Sequence, residues 1–250
     1  MMRRFFRQPL DDVLACLEKL AATKSPGLMM AGWMLVGVAT WFVYVPIHEL
    51  LHAAGCVVSG GAISKLEIQA RYGGAILANF FPFVVTGGEY AGRLSGFDTR
   101  GNDLIYLATD FGPFLLTVLL GVPLLKVAGR SYRPILFPMA VVVGLAPFYN
   151  LQGDYYEMGS TVVTRTVTLM SGRSGTPIFE KLRSDDIFKL FEDFFVRPAE
   201  LGVTNGGSFV GGFTIILASL IVGIVLAFLT YFLGHAASRL IVRGKAASGS

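Results

Sequence analysis

The sequence predicts an all-α polytopic membrane protein with about four transmembrane helices. Of its 250 residues, 53% are hydrophobic and 15% are charged, whereas about 25% are charged in an average soluble domain. The charges are unevenly spread: residues 25–64 carry one, and residues 72–88, 134–153 and 201–238 carry none. A helix needs about 20 apolar residues to cross a bilayer core. The pattern excludes a disordered chain and argues against a water-soluble enzyme.

Four apolar segments are predicted to cross the membrane. They comprise residues 28–58, 104–125, 135–151 and 211–233. We expect Pro46 to loosen or kink the first helix, because proline removes a backbone donor. The last segment belongs to a C-terminal region, 208–250, that ends in a basic tail.

The segments around these spans have patterns of their own. Within the N-terminal segment 1–27, residues 9–24 have leucines at helical spacing. This fits either an interfacial amphipathic helix or a short helix packed on the rest of the protein. Residues 59–103 contain two apolar runs followed by paired glycines, which predicts a β-hairpin or re-entrant insertion. Residues 173–207 form a polar surface segment, with a surface helix predicted at 187–195.

The net charge of +4 is typical of a membrane protein whose basic residues set its topology. Basic residues stand in short runs beside the apolar segments, where topology-setting charges occur. The sequence has no basic stripe with interleaved aromatic residues, which a nucleic-acid-binding surface would need, so we expect no nucleic acid as a partner. The apolar segments predict the lipid bilayer as a partner. The two cysteines, Cys16 and Cys56, give no disulfide framework. We expect an integral protein of the bacterial cytoplasmic (inner) membrane.

A metal-binding pattern lies inside the first predicted span, where the sequence reads His48-Glu49-Leu50-Leu51-His52. Histidines four residues apart project from the same side of a helix, so both imidazoles can hold one Zn²⁺ ion. Glu49 between them can act as the base that activates water at the metal. The alternative is a buried hydrogen-bond network of the same three side chains without a metal.

A catalytic zinc usually takes three protein ligands and leaves one position open. The candidates for the third ligand are Asp154, Asp110, Glu89 and Cys56. Cys56 lies one turn beyond His52 on the same helix face, so packing is its favoured role. Asp154 follows the third predicted span, where an aspartate can also cap a helix. Nearby Asn150 can donate hydrogen bonds to a substrate.

Three segments resemble the site-2 protease family of intramembrane zinc metalloproteases, in the order in which that family carries them. They are His48-Glu49-Leu50-Leu51-His52, then Phe111-Gly112-Pro113, then Asn150 followed by Gly153-Asp154. The resemblance implies that the zinc ligands are His48, His52 and Asp154. It further implies Glu49 as the general base and Asn150 as a residue that orients the substrate.

The same resemblance implies a fold and an activity. It covers about residues 30–170, within a metalloprotease-like core of residues 28–172 that has three helices. The implied activity is that of a zinc metalloendopeptidase that hydrolyses peptide bonds in or next to transmembrane segments. Its partners would be membrane protein or peptide substrates, and an extended substrate would pair with an edge of the strand at 62–72.

Two other functions are compatible with parts of the sequence. Tyr155 follows Asp154 where the family usually has glycine. The alternative is therefore a catalytically inactive, metalloprotease-like subunit that joins other membrane subunits in a larger complex and keeps a structural metal site. A transporter or proton relay is less favoured, because the sequence lacks the paired broken helices or repeats expected of one.

Overall fold

The computed structural model describes residues 2–22, 25–130, 135–171, 187–201, 203 and 206–247. This part of the chain is mostly helical and contains one small sheet. It divides into two compact units. The first comprises Met1–Pro147 with Phe228–Ser250, and the second comprises Phe148–Ala227.

The chain begins with two long helices followed by the sheet. The helices are α1 (Met2–Ala21) and α2 (Pro26–Val58). The strands are β1 (Ala62–Ile68), β2 (Val84–Thr86) and β3 (Gly92–Asp98), with a short helix α3 (Gly74–Leu77) between β1 and β2. Next come α4 (Asp103–Phe111), α5 (Phe114–Leu116), a π-helical turn (Thr117–Gly121), α6 (Val122–Arg130), α7 (Leu136–Gly144) and α8 (Ala146–Tyr149).

Helix α1 packs on other helices of the first unit, which is one of the two alternatives predicted for residues 9–24. Its Asp12 carboxylate accepts a hydrogen bond from the Lys126 ammonium group at 2.6 Å and another from the Tyr231 hydroxyl at 2.7 Å. Cys16, one turn further along α1, is 3% exposed. Paired charges of this kind fix the position of a helix, because separating them leaves a charge poorly solvated.

In the described part of the chain, two helices are long and apolar enough to cross a membrane, which indicates a membrane protein. They are α2 and the Gly206–Leu240 part of α11 (Gly206–Ala247). α2 continues through Pro46 without a break. The second predicted span is a bent pair instead of a straight helix: α4 and the helix from Phe114 meet at 52°. Pro113 stands at this bend, where its ring prevents the helix from continuing straight.

The third predicted span, 135–151, is divided. Helix α7 ends at Gly144 and α8 begins at Ala146, because Pro147 lacks a backbone N–H and clashes with the preceding turn. Nine residues of α7 rise only about 14 Å, about half of a bilayer core. The described residues therefore contain two candidate spans, or three when the bent pair counts as one, instead of four.

The predicted insertion is a three-stranded sheet in the order β2-β1-β3. β1 pairs with β3 in antiparallel fashion, as in a hairpin, but the chain first returns through β2, which pairs with β1 in parallel. The expected pairing of a substrate with the strand at 62–72 stays a prediction. β1 is the central strand, with β3 along one edge and β2 at Leu66–Ile68 of the other. Leu66 and Ile68 of β1 are fully buried and pack with Ala53 of α2.

In the second unit, the described residues form the helices α9 (Asp154–Ser171) and α10 (Ile187–Val196) and the first part of α11. α10 is the surface helix predicted at 187–195, whereas α9 was not predicted. α9 and α11 approach closely through small residues: a Cβ on Gly223 would lie 2.5 Å from the Tyr155 carbonyl oxygen. Part of the predicted polar segment 173–207, namely 173–186, 202 and 204–205, lies outside the described residues.

Candidate metal centre

Helix α2 places His48 and His52 on one buried face. Each side chain is 7% exposed, and their Nε2 atoms lie 3.1 Å apart. The spacing of four residues produces this approach, because it brings the second imidazole one helical turn above the first. Both rings thus direct the same nitrogen to one point, as two ligands of one ion must.

The outer nitrogen of His52 contacts the backbone of α4. Its Nδ1 lies 2.8 Å from the carbonyl oxygen of Thr109. A carbonyl oxygen only accepts, so Nδ1 carries the proton and donates it, and Nε2 keeps its lone pair. This is the tautomer that a metal at Nε2 requires.

Two glycines permit this contact between α2 and α4. A Cβ on Gly55 would clash with the carbonyl oxygen of Ala108, and a Cβ on Gly112 would clash with that of Leu51. Only glycine leaves room for backbones at this separation. The close approach brings the Thr109 carbonyl oxygen within hydrogen-bond distance of His52.

The outer nitrogen of His48 is bonded to Tyr44, one turn earlier on α2. Its Nδ1 lies 2.9 Å from the Tyr44 hydroxyl oxygen. A phenol can donate or accept, so Tyr44 can accept from Nδ1–H when Nε2 binds a metal. The ring of Phe114, which is fully buried, meets His48 edge to face at 5.6 Å. Phe114 gives the imidazole an apolar wall.

Asp154 completes a group that could hold a metal ion. One ligand atom from each of His48, His52 and Asp154 lies within 4.8 Å of the other two. Asp154 is the first residue of α9, so the turn that ends at Gly153 sets its position. In the described part of the chain, the ligand atoms of these three side chains lie close enough together to share one ion.

The other candidates for the third ligand do not join this group. The thiol of Cys56 is fully buried and points to the carbonyl oxygen of Ala62 at 3.7 Å, which agrees with a packing role. Asp110 is buried in α4, and Glu89 is exposed in the loop before β3. The donor set therefore consists of two imidazole nitrogens and one carboxylate oxygen.

Glu49 and Asn150 were the predicted catalytic residues. The half-buried side chain of Glu49 lies against the backbone of β3, where a Cβ on Gly92 would clash with its Cγ. The sheet thus limits where this carboxylate can go. Asn150 lies in the turn between α8 and α9, and its carbonyl oxygen accepts a hydrogen bond from the amide of Tyr155 at 3.2 Å.

Sequence reasoning missed three residues of this centre: Tyr44, Thr109 and Gly92. Tyr44 had a detectable signal, because it precedes His48 by the same four residues that separate the two histidines. Thr109 and Gly92 had none, since each reaches the centre through the packing of a distant segment onto α2.

Comparison with known proteins adds no family to this geometry. No protein-family model, no curated protein and no solved structure matches the chain.

Proposed function

We propose that this protein is an intramembrane zinc metalloprotease of the site-2 protease type. It would hydrolyse peptide bonds in or next to transmembrane segments. The observation that carries the proposal is the pair of buried Nε2 atoms at 3.1 Å on a membrane-spanning helix, grouped with the Asp154 carboxylate. Buried ionisable groups in such a helix are costly, so they mark a functional site.

The donor set fits zinc. Imidazole nitrogen and carboxylate oxygen are common zinc ligands, and three protein ligands leave a position open for catalysis. The hydrogen bonds of His48 and His52 to Tyr44 and Thr109 are the outer contacts that orient histidine ligands. When bound, zinc polarises the scissile carbonyl group and acidifies water.

Glu49 supplies the proton transfers in this proposal. Its carboxylate accepts a proton from the attacking water and delivers it to the nitrogen of the leaving amine. The contact with Gly92 supports this role, because a catalytic base must be held in a fixed position.

The sheet offers a strand edge along which a substrate could bind beside Glu49. β3 is an outer strand of the described sheet, and its first residue touches Glu49. An extended substrate that adds to β3 through backbone hydrogen bonds would run beside the base. This replaces β1 with β3 as the strand that receives the substrate.

The test compares membranes from cells that produce the wild type, Glu49→Gln or Glu89→Gln. New protein N-termini are mapped by amine labelling and mass spectrometry, and zinc is measured in each purified protein. We expect N-termini in or beside transmembrane segments with the wild type and with Glu89→Gln, whose exposed carboxylate is the matched control. Glu49→Gln should keep its zinc and lose the cleavage products.

Zinc-loaded wild type that yields the same N-termini as Glu49→Gln would contradict proteolysis. That result would favour the inactive subunit with a structural metal site.

A further inference from the structure

Helix α10 exposes aromatic side chains that the metal centre does not use. Phe188 is 70% exposed and Phe195 is 59% exposed. Seven residues apart, they lie within about 20° of each other around the helix axis. Phe191 lies between them, and its ring stacks on that of Phe195 at 6.0 Å. These three residues form an aromatic stripe along α10.

A charged face lies beside the aromatic stripe. Lys189 and Glu192 are exposed, and the Arg197 guanidinium pairs with the carboxylate of Asp193 and lies 3.8 Å from that of Glu192. Exposed aromatic and charged faces side by side on one helix are typical of helices that lie at a membrane surface.

The opposite face attaches α10 to the beginning of α11. Phe194 is 1% exposed, and its ring lies 4.6 Å from the ring of Phe209. A Cβ on Gly212 would lie 2.9 Å from the Phe194 ring, so glycine there provides the space that the ring fills. The attachment determines which face of α10 stays exposed.

The aromatic stripe continues onto the exposed apolar surface of α11. The ring of Phe195 lies 6.1 Å from that of Phe209. Phe209 is 36% exposed and its neighbour Val210 is 64% exposed, at the start of a candidate span. The uncharged stretch 201–238 exceeds the 20 or so residues that a span needs, so its first turns can lie at the level of the lipid headgroups.

From this continuity we propose that α10 lies in the membrane interface, with the aromatic stripe inserted among the lipids and the charged face in water. The partner of this surface is the bilayer itself. Because the stripe borders the lipid-facing surface of α11, one layer of lipid can cover both. This arrangement anchors the second unit independently of the metal centre and of the proposed protease activity.

The experiment measures the surroundings of single spin labels in the full-length protein, reconstituted into vesicles of phosphatidylcholine and phosphatidylglycerol. Cysteine is introduced in Phe188→Cys, Phe195→Cys and the matched control Glu192→Cys. The native Cys16 and Cys56 are buried, and labelled wild type measures any background from them. Collision rates with oxygen, which concentrates in lipid, and with a water-soluble nickel complex are recorded by electron paramagnetic resonance.

We expect the ratio of oxygen to nickel collisions to be several-fold higher at 188 and 195 than at 192. An equal ratio at all three positions, with frequent nickel collisions, would place the stripe in water and overturn the proposal. Low collision rates with both reagents at 188 and 195 would show a protein partner on the stripe and would overturn it too.

Discussion

The imidazole of His52 has one ring nitrogen available to a metal. The Thr109 carbonyl oxygen fixes the proton on Nδ1, so Nε2 presents its lone pair before any ion binds. His48 differs, because the Tyr44 hydroxyl can act either as donor or as acceptor. Tyr44 therefore determines how readily His48 adopts the tautomer that a metal needs.

Replacing Tyr44 tests this role. Tyr44→Phe keeps the ring and removes the hydroxyl group that bonds to His48 Nδ1. Losing such an outer contact typically weakens metal binding about 10- to 100-fold, and we expect a loss of this size. Zinc affinity is measured by competition with a chromophoric chelator.

The matched control is Tyr72→Phe, which removes a hydroxyl from a tyrosine whose ring stacks on Phe42 of α2 instead of contacting a histidine. Equal zinc affinities for both variants and the wild type would show that the Tyr44 hydroxyl does not support the metal site.

Gly92 provides a second test at the residue scale. In Gly92→Ala the new methyl group must displace the Glu49 side chain, and misplacing a catalytic group by about 1 Å can cost 100-fold in rate. We expect cleavage to slow by about 10- to 100-fold, while the zinc content stays that of the wild type. Gly32→Ala in α2, where a Cβ meets nothing within 4 Å, is the control. An unchanged rate in Gly92→Ala would refute the positioning role of β3.

The candidate site could be predicted from the sequence only in part. His48 and His52 are near neighbours on one helix, and helical geometry alone brings them together. The hydrogen bond from His52 joins residues 57 positions apart, and local spacing carries no information on such a contact. Residue type made Asp154 one of four candidates for the third ligand, and only the resemblance selected it, because an aspartate at a helix start is common without any metal.

At the scale of elements, α1 is held by a half-buried polar cluster. Asp12 bonds to Lys126 and Tyr231, and it also accepts from the Gln8 side chain at 2.9 Å. The side chains of Asp12 and Lys126 are 10% and 16% exposed. Neighbouring Asp11 is exposed and pairs with Arg7 of the same helix, so it contributes little to docking.

This contrast predicts the reactivity of Cys16. Burial raises the pKa of the Cys16 thiol, Lys19 opposes this effect and Asp12 adds to it, so the reactive thiolate is scarce at neutral pH. Asp12→Ala removes the partner of both Lys126 and Tyr231 and leaves a half-buried ammonium group unpaired, so it should free α1. We expect N-ethylmaleimide to modify Cys16 at least about tenfold faster in that variant, as followed by mass spectrometry.

Asp11→Ala should leave the reaction as slow as in the wild type. Equal acceleration by the two substitutions would contradict docking of α1 through Asp12.

Prolines mark the places where two of the predicted spans are bent or broken in the structure. Pro46 lies within α2 without ending it, whereas Pro113 and Pro147 stand at a bend and a break. The sequence marks each as a helix-disrupting residue, but packing decides the outcome. For the same reason, the apolar run at 75–86 became a short helix and β2 instead of the second strand of a hairpin.

At the scale of the whole molecule, composition predicted the membrane class and the two long spans. Long uncharged segments of the sequence indicate both the membrane class and the long spans, and α2 and α11 lie where these spans were predicted. The number of spans could not be predicted, because a proline such as Pro147 in the apolar run 135–151 can either break a helix or lie within it, as Pro46 does in α2. Helix α9 was missed because its polar and β-branched residues weaken the apolar pattern of a helix.

The central claim is that His48, His52 and Asp154 bind one zinc ion, and the most direct measurement is zinc per chain by elemental analysis, without chelators during purification. We predict about one zinc per wild-type chain, less in Asp154→Ala, and none when both histidines are replaced by alanine. Cys56→Ala, which alters a buried neighbour outside the ligand set, should keep its zinc. Folded wild-type protein without zinc, or a double histidine variant with as much zinc as the wild type, would contradict the claim.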